Sequence, residues 1–280
     1  MQKEKYIILP NTKDLKIFED FNTFILPLKD YSIGYNIYFD VDEINELSKT
    51  KNIYVIMNKF LHMKIYDFKS IYNRFNSNIK FICEDIGLVN IIDKDRFILY
   101  ENHILSNYKA VEFLNSLNIK NVVLNNDLTI NELKTIIDKT KSNLYYFYTC
   151  KNIIMYSRRN LVSNYNKHFE LPDTEDYLLS EKVTHEELFI KEEKDGSVVR
   201  YNKIFCASKY LNDLKSMNLI VDFTDIDLLN TKMIIENINE ENLCNLIDSD
   251  YYFLEHDIKY KVGDIKWNMN YYYLLETLID

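Results

Sequence analysis

The chain is poor in the residues that interrupt regular structure or build the commonest nucleotide and hydrolase sites. Its 280 residues include only four glycines, three prolines, four cysteines and one tryptophan. The glycines lie far apart, so no glycine-rich loop is available to hold a nucleotide phosphate. The Gly-x-Ser-x-Gly turn of serine hydrolases is also missing. These absences argue against a P-loop protein, a Rossmann-type nucleotide-binding protein and an α/β-hydrolase.

Charge and hydropathy limit the partners that the chain is expected to have. Acidic residues outnumber basic ones by 43 to 34, which gives a formal net charge of −9 at pH 7. Phosphate backbones attract lysine and arginine, so we expect no non-specific binding of nucleic acid. No apolar run reaches the roughly 20 residues needed to cross a bilayer, and the N-terminus carries no signal-peptide pattern. We therefore predict a cytoplasmic protein that does not associate with membranes.

The cysteines and histidines show no metal-ligand spacing. Widely spaced cysteines in a cytoplasmic chain are usually reduced thiols, so we predict four reduced thiols rather than a disulfide framework. Cys150 has no identifiable base beside it, which favours a buried inert thiol over a nucleophile. No metal site is predicted. The residues in question are Cys83, Cys150, Cys206 and Cys244, with His62, His103, His168, His185 and His256.

Eight short apolar runs, rich in β-branched and aromatic residues, alternate with amphipathic segments along the chain. Continuously apolar runs are typical of parallel strands that are buried on both faces. Eight such strands separated by helices predict an α/β fold, a (β/α)8 TIM-type barrel, with a doubly wound open sheet as the alternative. The predicted strands are Tyr6–Leu9, Thr23–Leu26, Ile53–Met57, Lys80–Cys83, Phe97–Tyr100, Asn121–Leu124, Leu144–Tyr148 and Leu219–Phe223.

This regular alternation fails after the seventh predicted strand. Glu187–Glu192 and Ser197–Asn202 flank a Lys-Asp-Gly sequence, which predicts a β-hairpin with its turn at Asp195 and Gly196. We therefore predict one barrel domain over residues 1–280, with a hairpin-bearing insertion at 160–205 and a C-terminal helical and aromatic extension at 228–280.

Polar side chains follow several of the predicted strands, where barrel enzymes place their functional groups. Asn58 follows the third strand, Asp85 the fourth and Asp127 the sixth. Asn and Asp in such positions also serve as helix caps, which is the more common role for any single one of them.

The stretch after the seventh strand contains a pair of adjacent arginines beside a tyrosine and a serine. The chain has only five arginines, and two of them are Arg158 and Arg159, next to Tyr156 and Ser157. The forked guanidinium group binds carboxylates and phosphates through two hydrogen bonds. The stretch therefore indicates a local anion-binding loop, with a pair of surface arginines as the alternative.

Four stretches together resemble peptidase family U32, the collagenase-like peptidase family. The likeness extends from about Phe24 to Asp222 and implies a TIM-type barrel. Residues that match the family pattern are Asp85, Gly87, Asn107, Tyr156, Ser157 and Arg159. The four stretches are Lys80–Ile91 (KFICEDIGLVNI), Tyr100–Leu117 (YENHILSNYKAVEFLNSL), Asn121–Leu133 (NVVLNNDLTINEL) and Leu144–Asn160, which is similar to the signature around "YSxRC".

The departures from the family pattern concern its cysteines. The resemblance implies an iron–sulfur cluster in members that modify RNA or hydroxylate ubiquinone precursors. Here the signature cysteine is replaced by Asn160, and neither Tyr31-Ser32 nor Thr184–Phe189 supplies a cysteine. A cluster needs several thiolates that converge on one site. We therefore expect a short, divergent member without a cluster or any other cofactor.

The leading hypothesis is a peptidase-like protein that binds a small or peptide-like acidic ligand at the C-terminal face of the barrel. If the protein is an enzyme, the family resemblance implies hydrolysis of a peptide-like bond. The alternatives are a non-catalytic binding or scaffold protein, or an accessory subunit in RNA or cofactor modification that pairs with a relative of the same family. The predicted acid–base residues are Asp85 and Asp127, and the predicted ligand-binding residues are Arg159, Tyr156, Ser157, Asn107 and Asn58.

Overall fold

A computed structural model describes residues 5–101, 105–182 and 185–255 of the chain. Strands and helices alternate through its first half, as the apolar pattern predicts. The strands are β1 (Tyr6–Leu9), β2 (Thr23–Pro27), β3 (Asn52–Met57), β4 (Lys80–Cys83), β5 (Phe97–Tyr100), β6 (Asn121–Leu124), β7 (Asn143–Cys150), β8 (Ile153–Ser157), β9 (Asp176–Ser180), β10 (Glu187–Glu193), β11 (Gly196–Tyr201), β12 (Ile204–Cys206), β13 (Asn218–Asp222) and β14 (Ser249–Asp250). The helices are α1 (Val41–Leu47), α2 (Lys64–Tyr72), α3 (Tyr108–Ser116), α4 (Ile130–Lys139), α5 (Leu161–Phe169), α6 (Leu228–Asn237) and α7 (Leu243–Leu246).

Eight parallel strands close into a barrel. Strands β1 to β7 pair in sequence order, β13 pairs with β1, and β13 also pairs with β7. The closing contact places Asn218 opposite Tyr145, while Tyr6 lies opposite Leu219 on the other edge of β13. The predicted TIM-type barrel is therefore confirmed. The open-sheet alternative is excluded, because the β13–β7 pairing leaves the ring without a free edge between these strands.

The barrel forms because its strands are apolar on both faces, and two of its helices begin at capping boxes. Strands β1 and β5 are buried along their whole length. Helix α1 starts with a capping box between Asp40 and Glu43, and α4 starts with one between Thr129 and Glu132. Each box satisfies backbone N–H groups that the first helical turn leaves without partners.

A second, four-stranded antiparallel sheet, in the order β8-β11-β10-β9, follows the seventh barrel strand. Its centre is the predicted hairpin, in which β10 and β11 pair from Leu188 and Tyr201 to Glu193 and Gly196. Gly196 has a φ of +142°, a conformation that strongly favours glycine. The sheet begins at Ile153, so β8 also belongs to it. We call this unit the roof sheet. Its strand β11 supplies a residue, Tyr201, to a cavity at the mouth of the barrel that is described below.

Helix α5 of the roof unit takes its N-terminal cap from a neighbouring strand. Asn160, at the N-cap position, makes no side-chain capping bond. The carboxylate of Glu192 on β10 instead accepts hydrogen bonds from the backbone N–H groups of Val162, at 2.9 Å, and Ser163, at 3.1 Å. The hydroxyl of Ser163 also donates to Glu192. A buried carboxylate at a helix N-terminus is stabilised by the helix dipole as well as by these bonds.

Polar contacts hold the roof sheet against the loop that follows β2. Glu193 accepts hydrogen bonds from the backbone N–H of Gly34, at 3.2 Å, and from the hydroxyl of Tyr38, at 2.6 Å. Arg200, on β11, donates to the carbonyl oxygen of Gly34. Gly34 has a φ of +85°, and an added Cβ would lie 3.0 Å from a methyl group of Val198. The close approach of the roof to the barrel therefore requires glycine at this position.

The expectation of four reduced thiols is wrong for two of the cysteines. Cys206 and Cys244 form a disulfide, with their Cα atoms 5.6 Å apart. Strand β12, which contains Cys206, pairs with the last two residues of β7, and α7 contains Cys244. The two cysteines are 38 positions apart, so only the tertiary fold brings them together. Cys83 and Cys150 are free and buried.

The described part of the C-terminal extension contains α6, α7 and a short 3-10 turn at Tyr252–Leu254. The aromatic patch at 271–273 and His256 lie outside the described residues, as does His103. Among the residues that the structure describes, no helix is long and apolar enough to cross a membrane.

Candidate functional site

A cavity of about 240 Å³ lies at the barrel mouth, at the C-terminal ends of four barrel strands. Strands β5, β6, β7 and β13 supply its floor, the roof sheet supplies Tyr201, and the C-terminal extension supplies Phe253. We call it the mouth cavity. Its walls combine aromatic rings with a few polar groups, as is typical of small-ligand sites. It is lined by Tyr35, Tyr100, Asn125, Asn126, Asp127, Phe147, Cys150, Lys151, Asn152, Ile153, Ile154, Tyr201, Asp222 and Phe253.

Asn125 is the most informative polar residue of the mouth cavity. It follows β6 directly and is only 2% exposed. Neither its amide nitrogen nor its carbonyl oxygen has a hydrogen-bond partner among the described residues. Leaving a buried amide unpaired costs roughly 1–3 kcal/mol, so such a group calls for an explanation. A ligand that both donates and accepts a hydrogen bond would satisfy it.

Two aspartates line the same cavity. Asp222 ends β13 and is 3% exposed, and its carboxylate accepts a hydrogen bond of 2.8 Å from the backbone N–H of Thr224. Burial raises the pKa of Asp222 above its ordinary value, while the nearby charge of Arg200 opposes this shift. Asp222 therefore retains its proton to a higher pH than an exposed aspartate does. Asp127 lines the cavity from the loop after β6, as the sequence predicts for a residue of the barrel face.

A buried arginine organises the groups beside the cavity. Arg200 is 2% exposed, and it donates to the carbonyl oxygen of Lys151 at 3.3 Å as well as to that of Gly34. Its Nε lies 3.6 Å from a carboxylate oxygen of Asp225. The ring of Tyr35 lies 5.8 Å from the guanidinium carbon, and burial raises the pKa of this phenol well above its ordinary value. Tyr35 is therefore a neutral hydrogen-bonding group at the cavity wall.

Glu84, which follows β4, has a strongly shifted pKa. Burial and the negative charge of Glu101 raise the pKa of Glu84 to about 8. In the unfolded chain this carboxyl group ionises near its ordinary value of 4.5. Between these values the folded protein binds a proton that the unfolded chain has lost, so folding stability falls as pH rises.

We expect the free energy of unfolding to fall by about 2–4 kcal/mol between about pH 5 and pH 8.5 through this one group. The check is urea denaturation at both pH values for the wild type and for Glu84→Gln, which cannot ionise. The free energy of unfolding of the variant should increase relative to that of the wild type as the pH rises. A constant difference across this range would contradict the assignment.

The thiol of Cys150 does not have the features of a nucleophile. Burial raises its pKa well above the ordinary value. The thiol donates a hydrogen bond of 2.8 Å to the side-chain oxygen of Asn152, and Asn126 lies 3.7 Å from its sulfur. A catalytic cysteine needs a lowered pKa and an adjacent base, so the expected inert thiol agrees with this environment.

The structure places the other predicted site residues away from the mouth cavity. The side chain of Asn58 bonds both backbone groups of Ile33, at 2.9 and 3.0 Å, and so shapes the loop after β2. Asp85 accepts hydrogen bonds from the backbone N–H groups of Gly87, at 2.9 Å, and Leu61, at 3.0 Å. Asn107 caps α3 through a 3.0 Å bond from the N–H of Ala110. Each side chain has a local structural role, and its part in ligand binding stays a prediction.

The predicted Tyr-Ser-Arg-Arg stretch lies at the end of β8 and in the turn before α5, outside the mouth cavity. Tyr156 and Ser157 belong to strand β8, and Ser157 accepts a 3.2 Å hydrogen bond from the backbone N–H of Arg159. The side chain of Arg159 is exposed and is not part of the mouth cavity. Arg158 and Tyr156 line a second cavity. Asp127 therefore lies apart from the other residues that were predicted to form one ligand site with it at the C-terminal face of the barrel.

Sequence reasoning did not select three residues that matter most at the mouth cavity. Asn125 was visible as one of the polar residues after β6, but its burial was not. Asp222 stands in an acidic stretch with Asp225 and Asp227, which resembles a solvated loop. Arg200 carried the clearest signal, because a lone arginine interrupts the apolar strand sequence Ser-Val-Val-Arg-Tyr.

The cysteines do not fit the iron–sulfur cluster that some relatives of the family are expected to hold. Two of the four are joined as a disulfide, which leaves only Cys83 on β4 and Cys150 on β7. An iron–sulfur cluster is held by several convergent thiolates, usually four. Within residues 5–101, 105–182 and 185–255, no group of three or more His, Cys, Asp or Glu side chains is placed to hold a metal ion.

The closed parallel barrel and its roofed mouth define the class of protein, an α/β-barrel with a candidate ligand site at the C-terminal strand ends. The family model for peptidase family U32 matches residues 36–222, about two thirds of the chain. The chain belongs to peptidase family U32.

Two solved structures are similar to the chain at low identity. The U32 peptidase Mk0906 is 9% identical, with a TM-score of 0.48, over 79% of this chain and 93% of that one. The spore cortex-lytic enzyme SleL of Bacillus megaterium QM B1551 is 10% identical, with a TM-score of 0.34, over 83% of this chain and 72% of that one. No curated protein sequence matches the chain.

Proposed function

We propose that the protein binds a small, peptide-like ligand in the mouth cavity. The observation that carries this proposal is the side chain of Asn125, which is buried and has neither of its amide groups paired among the described residues. A carboxamide offers one donor and one acceptor side by side, which complements the C=O and N–H groups of a peptide bond. The cavity, at about 240 Å³, suits a ligand smaller than a typical drug molecule.

Lys151 supports an acidic character for the ligand. Its side chain lines the mouth cavity, and its ammonium group lies 3.3 Å from the side-chain oxygen of Asn202. Burial partly desolvates the ammonium group of this lysine and so lowers its pKa. A ligand carboxylate beside Lys151 would offset that desolvation. The aromatic rings of Tyr100 and Phe147, 5.4 Å apart, would cover the apolar part of the ligand.

Hydrolysis of a peptide-like bond is the reaction that the family name suggests. Asp222 and Asp127 are the carboxyl groups that line the cavity, and the raised pKa of Asp222 suits it to donate a proton to a leaving group. Asp127 would then act on the attacking water as the partner base. This assignment replaces the predicted Asp85, whose carboxylate is bonded to two backbone N–H groups.

Substitution of Asn125 tests the proposal. A panel of neutral and acidic di- and tripeptides is screened by thermal shift, and we expect acidic members to raise the melting temperature of the wild type. Asn125→Leu should abolish this effect while raising the stability of the free protein by about 1 kcal/mol, because an unpaired buried amide is removed. Asn131→Leu, on the exposed face of α4, is the matched control and should retain the response.

A response that persists in Asn125→Leu would contradict the proposal. Mass spectrometry of the responding peptide then separates an enzyme from a binding protein. Cleavage that is lost in Asp222→Asn supports the hydrolase assignment, and binding without cleavage supports a non-catalytic binding protein.

A further inference from the structure

A second cavity, of about 290 Å³, lies between the loop after β3 and the end of β8. We call it the basic cavity. It does not share a lining residue with the mouth cavity. It contains the Tyr156 and Arg158 of the stretch that the sequence marks as an anion-binding loop. Its lining residues are Lys59, Phe60, Leu61, His62, Met63, Lys64, Tyr156, Arg158 and Asp195.

Cations outnumber acids in the basic cavity. The one acid, Asp195, is paired with the nearly buried Lys59, with 2.7 Å between the ammonium nitrogen and a carboxylate oxygen. Arg158 and Lys64 make no side-chain hydrogen bond or ion pair with any part of the chain that the structure describes. Two unpaired positive charges thus face one small cavity on a protein whose formal net charge is −9. Such a local field attracts an anion.

Two aromatic rings form the apolar side of the basic cavity. The rings of Phe60 and Tyr156 are nearly parallel, with an angle of 18° between their planes and 6.5 Å between their centroids. Phe60 is 47% exposed, so its ring is accessible to a ligand. A flat ring inserted between two ring faces needs about 7 Å, twice the usual carbon–carbon contact distance, so a ligand ring would stack on an outer face of this pair and not between its members. The pair therefore offers a surface on which a planar ligand can stack.

The loop that carries these residues is held in a strained conformation. His62 has a φ of +48°, in the left-handed region that side chains with a Cβ rarely adopt. Asp85 holds the loop by accepting the N–H of Leu61 at 3.0 Å. Backbone strain that the surrounding structure maintains is concentrated at ligand sites. Asp85 thus positions Leu61, which lines the wall of the basic cavity.

We infer that the basic cavity binds a planar aromatic ligand that bears a phosphate or a carboxylate. The guanidinium fork of Arg158 takes the anion, Lys64 adds a second positive charge, and the ring of the ligand stacks on Phe60 and Tyr156. Lys59 stays paired with Asp195 and fixes the roof hairpin at the edge of the site. Both an anion and a flat ring are needed, because each half of the cavity contacts only one of them.

Binding measurements with four probes test this inference. The probes are adenosine 5′-monophosphate and 2-naphthoate, which combine a ring with an anion, and adenosine and inorganic phosphate, which each provide one half. We expect at least one combined probe to bind roughly tenfold or more tightly than either half, with affinity that falls as salt is added. Preference between the two combined probes distinguishes a phosphate ligand from a carboxylate ligand.

Paired arginine substitutions locate the site. Arg158→Gln should lower the affinity for the combined probe by roughly tenfold or more, since a charge-assisted hydrogen bond is lost. Both arginines are exposed, but Arg159 does not line the cavity, so Arg159→Gln should leave the affinity unchanged. Phe60→Leu should lower the affinity for the combined probe and should not change the affinity for inorganic phosphate. Absence of binding by both combined probes, or equal effects of the two arginine substitutions, would overturn the inference.

Discussion

Replacing Arg200 with methionine is expected to lower the free energy of unfolding by about 3 kcal/mol. The guanidinium group is 2% exposed, donates to two carbonyl oxygens and lies 3.6 Å from the carboxylate of Asp225. Methionine fills a similar volume but leaves both carbonyl groups without this donor, and Asp225 keeps, among the described residues, only the hydrogen bond from the side chain of Asn36. Removing one partner of a buried ion pair commonly costs about 3–5 kcal/mol, and Asp225 is partly exposed, which favours the lower value.

The measurement is urea denaturation of the purified chain. Arg159→Met is the matched control, because it removes the same charge from an exposed position and should change stability by less than about 0.5 kcal/mol. Arg200→Lys should recover only part of the loss, since an ammonium group cannot reproduce the planar fork. Equal stability of the Arg200 and Arg159 variants would show that the roof sheet is not held by this arginine.

Reduction of the Cys206–Cys244 disulfide is expected to lower the free energy of unfolding by about 4 kcal/mol. The bond closes a loop of 38 residues, and in the chain-entropy treatment the stabilisation rises with the logarithm of loop length. The loop includes β13, the strand that closes the barrel, and α6. The crosslink therefore limits how far the closing strand can separate in the unfolded chain.

Urea denaturation with and without tris(2-carboxyethyl)phosphine measures this effect. The double variant Cys206→Ser/Cys244→Ser should be about as stable as the reduced wild type in both conditions. Its stability should not change when the reductant is added. Alkylation in denaturant without reductant should modify only Cys83 and Cys150. Modification of all four cysteines would contradict the disulfide.

Membership in peptidase family U32 settles the lineage of the chain but not its chemistry. The residues of the mouth cavity include carboxyl groups, an unpaired amide and a neutral thiol, and the cysteines do not fit an iron–sulfur cluster. The two cavities also divide the predicted site between them, with Asp127 at one and Tyr156 at the other.

The sites illustrate how far local pattern can predict function. Asn58, Asp85 and Asn107 were selected because they follow strands or match the family pattern, and the structure shows each in a hydrogen bond to nearby backbone. Asn107 and Asp85 are recognisable in sequence because they bond backbone groups two or three residues away, whereas Asn58 bonds Ile33, 25 positions earlier in the chain. Asn125 and Asp222 were not selected, because their importance comes from burial, which depends on elements far away in the chain.

The amino-acid sequence by itself determined the eight barrel strands, the roof hairpin and the family. Strand periodicity, turn residues and helix caps act over a few residues, so the order of apolar and polar side chains is sufficient to specify them. Tertiary structure alone decided the Cys206–Cys244 bond, the buried position of Arg200 and the division of the polar residues between two cavities. These features join segments that are 38 to 166 positions apart, as in the disulfide and the bond from Arg200 to Gly34. Contacts over such separations arise only when the barrel closes and the roof sheet packs against it.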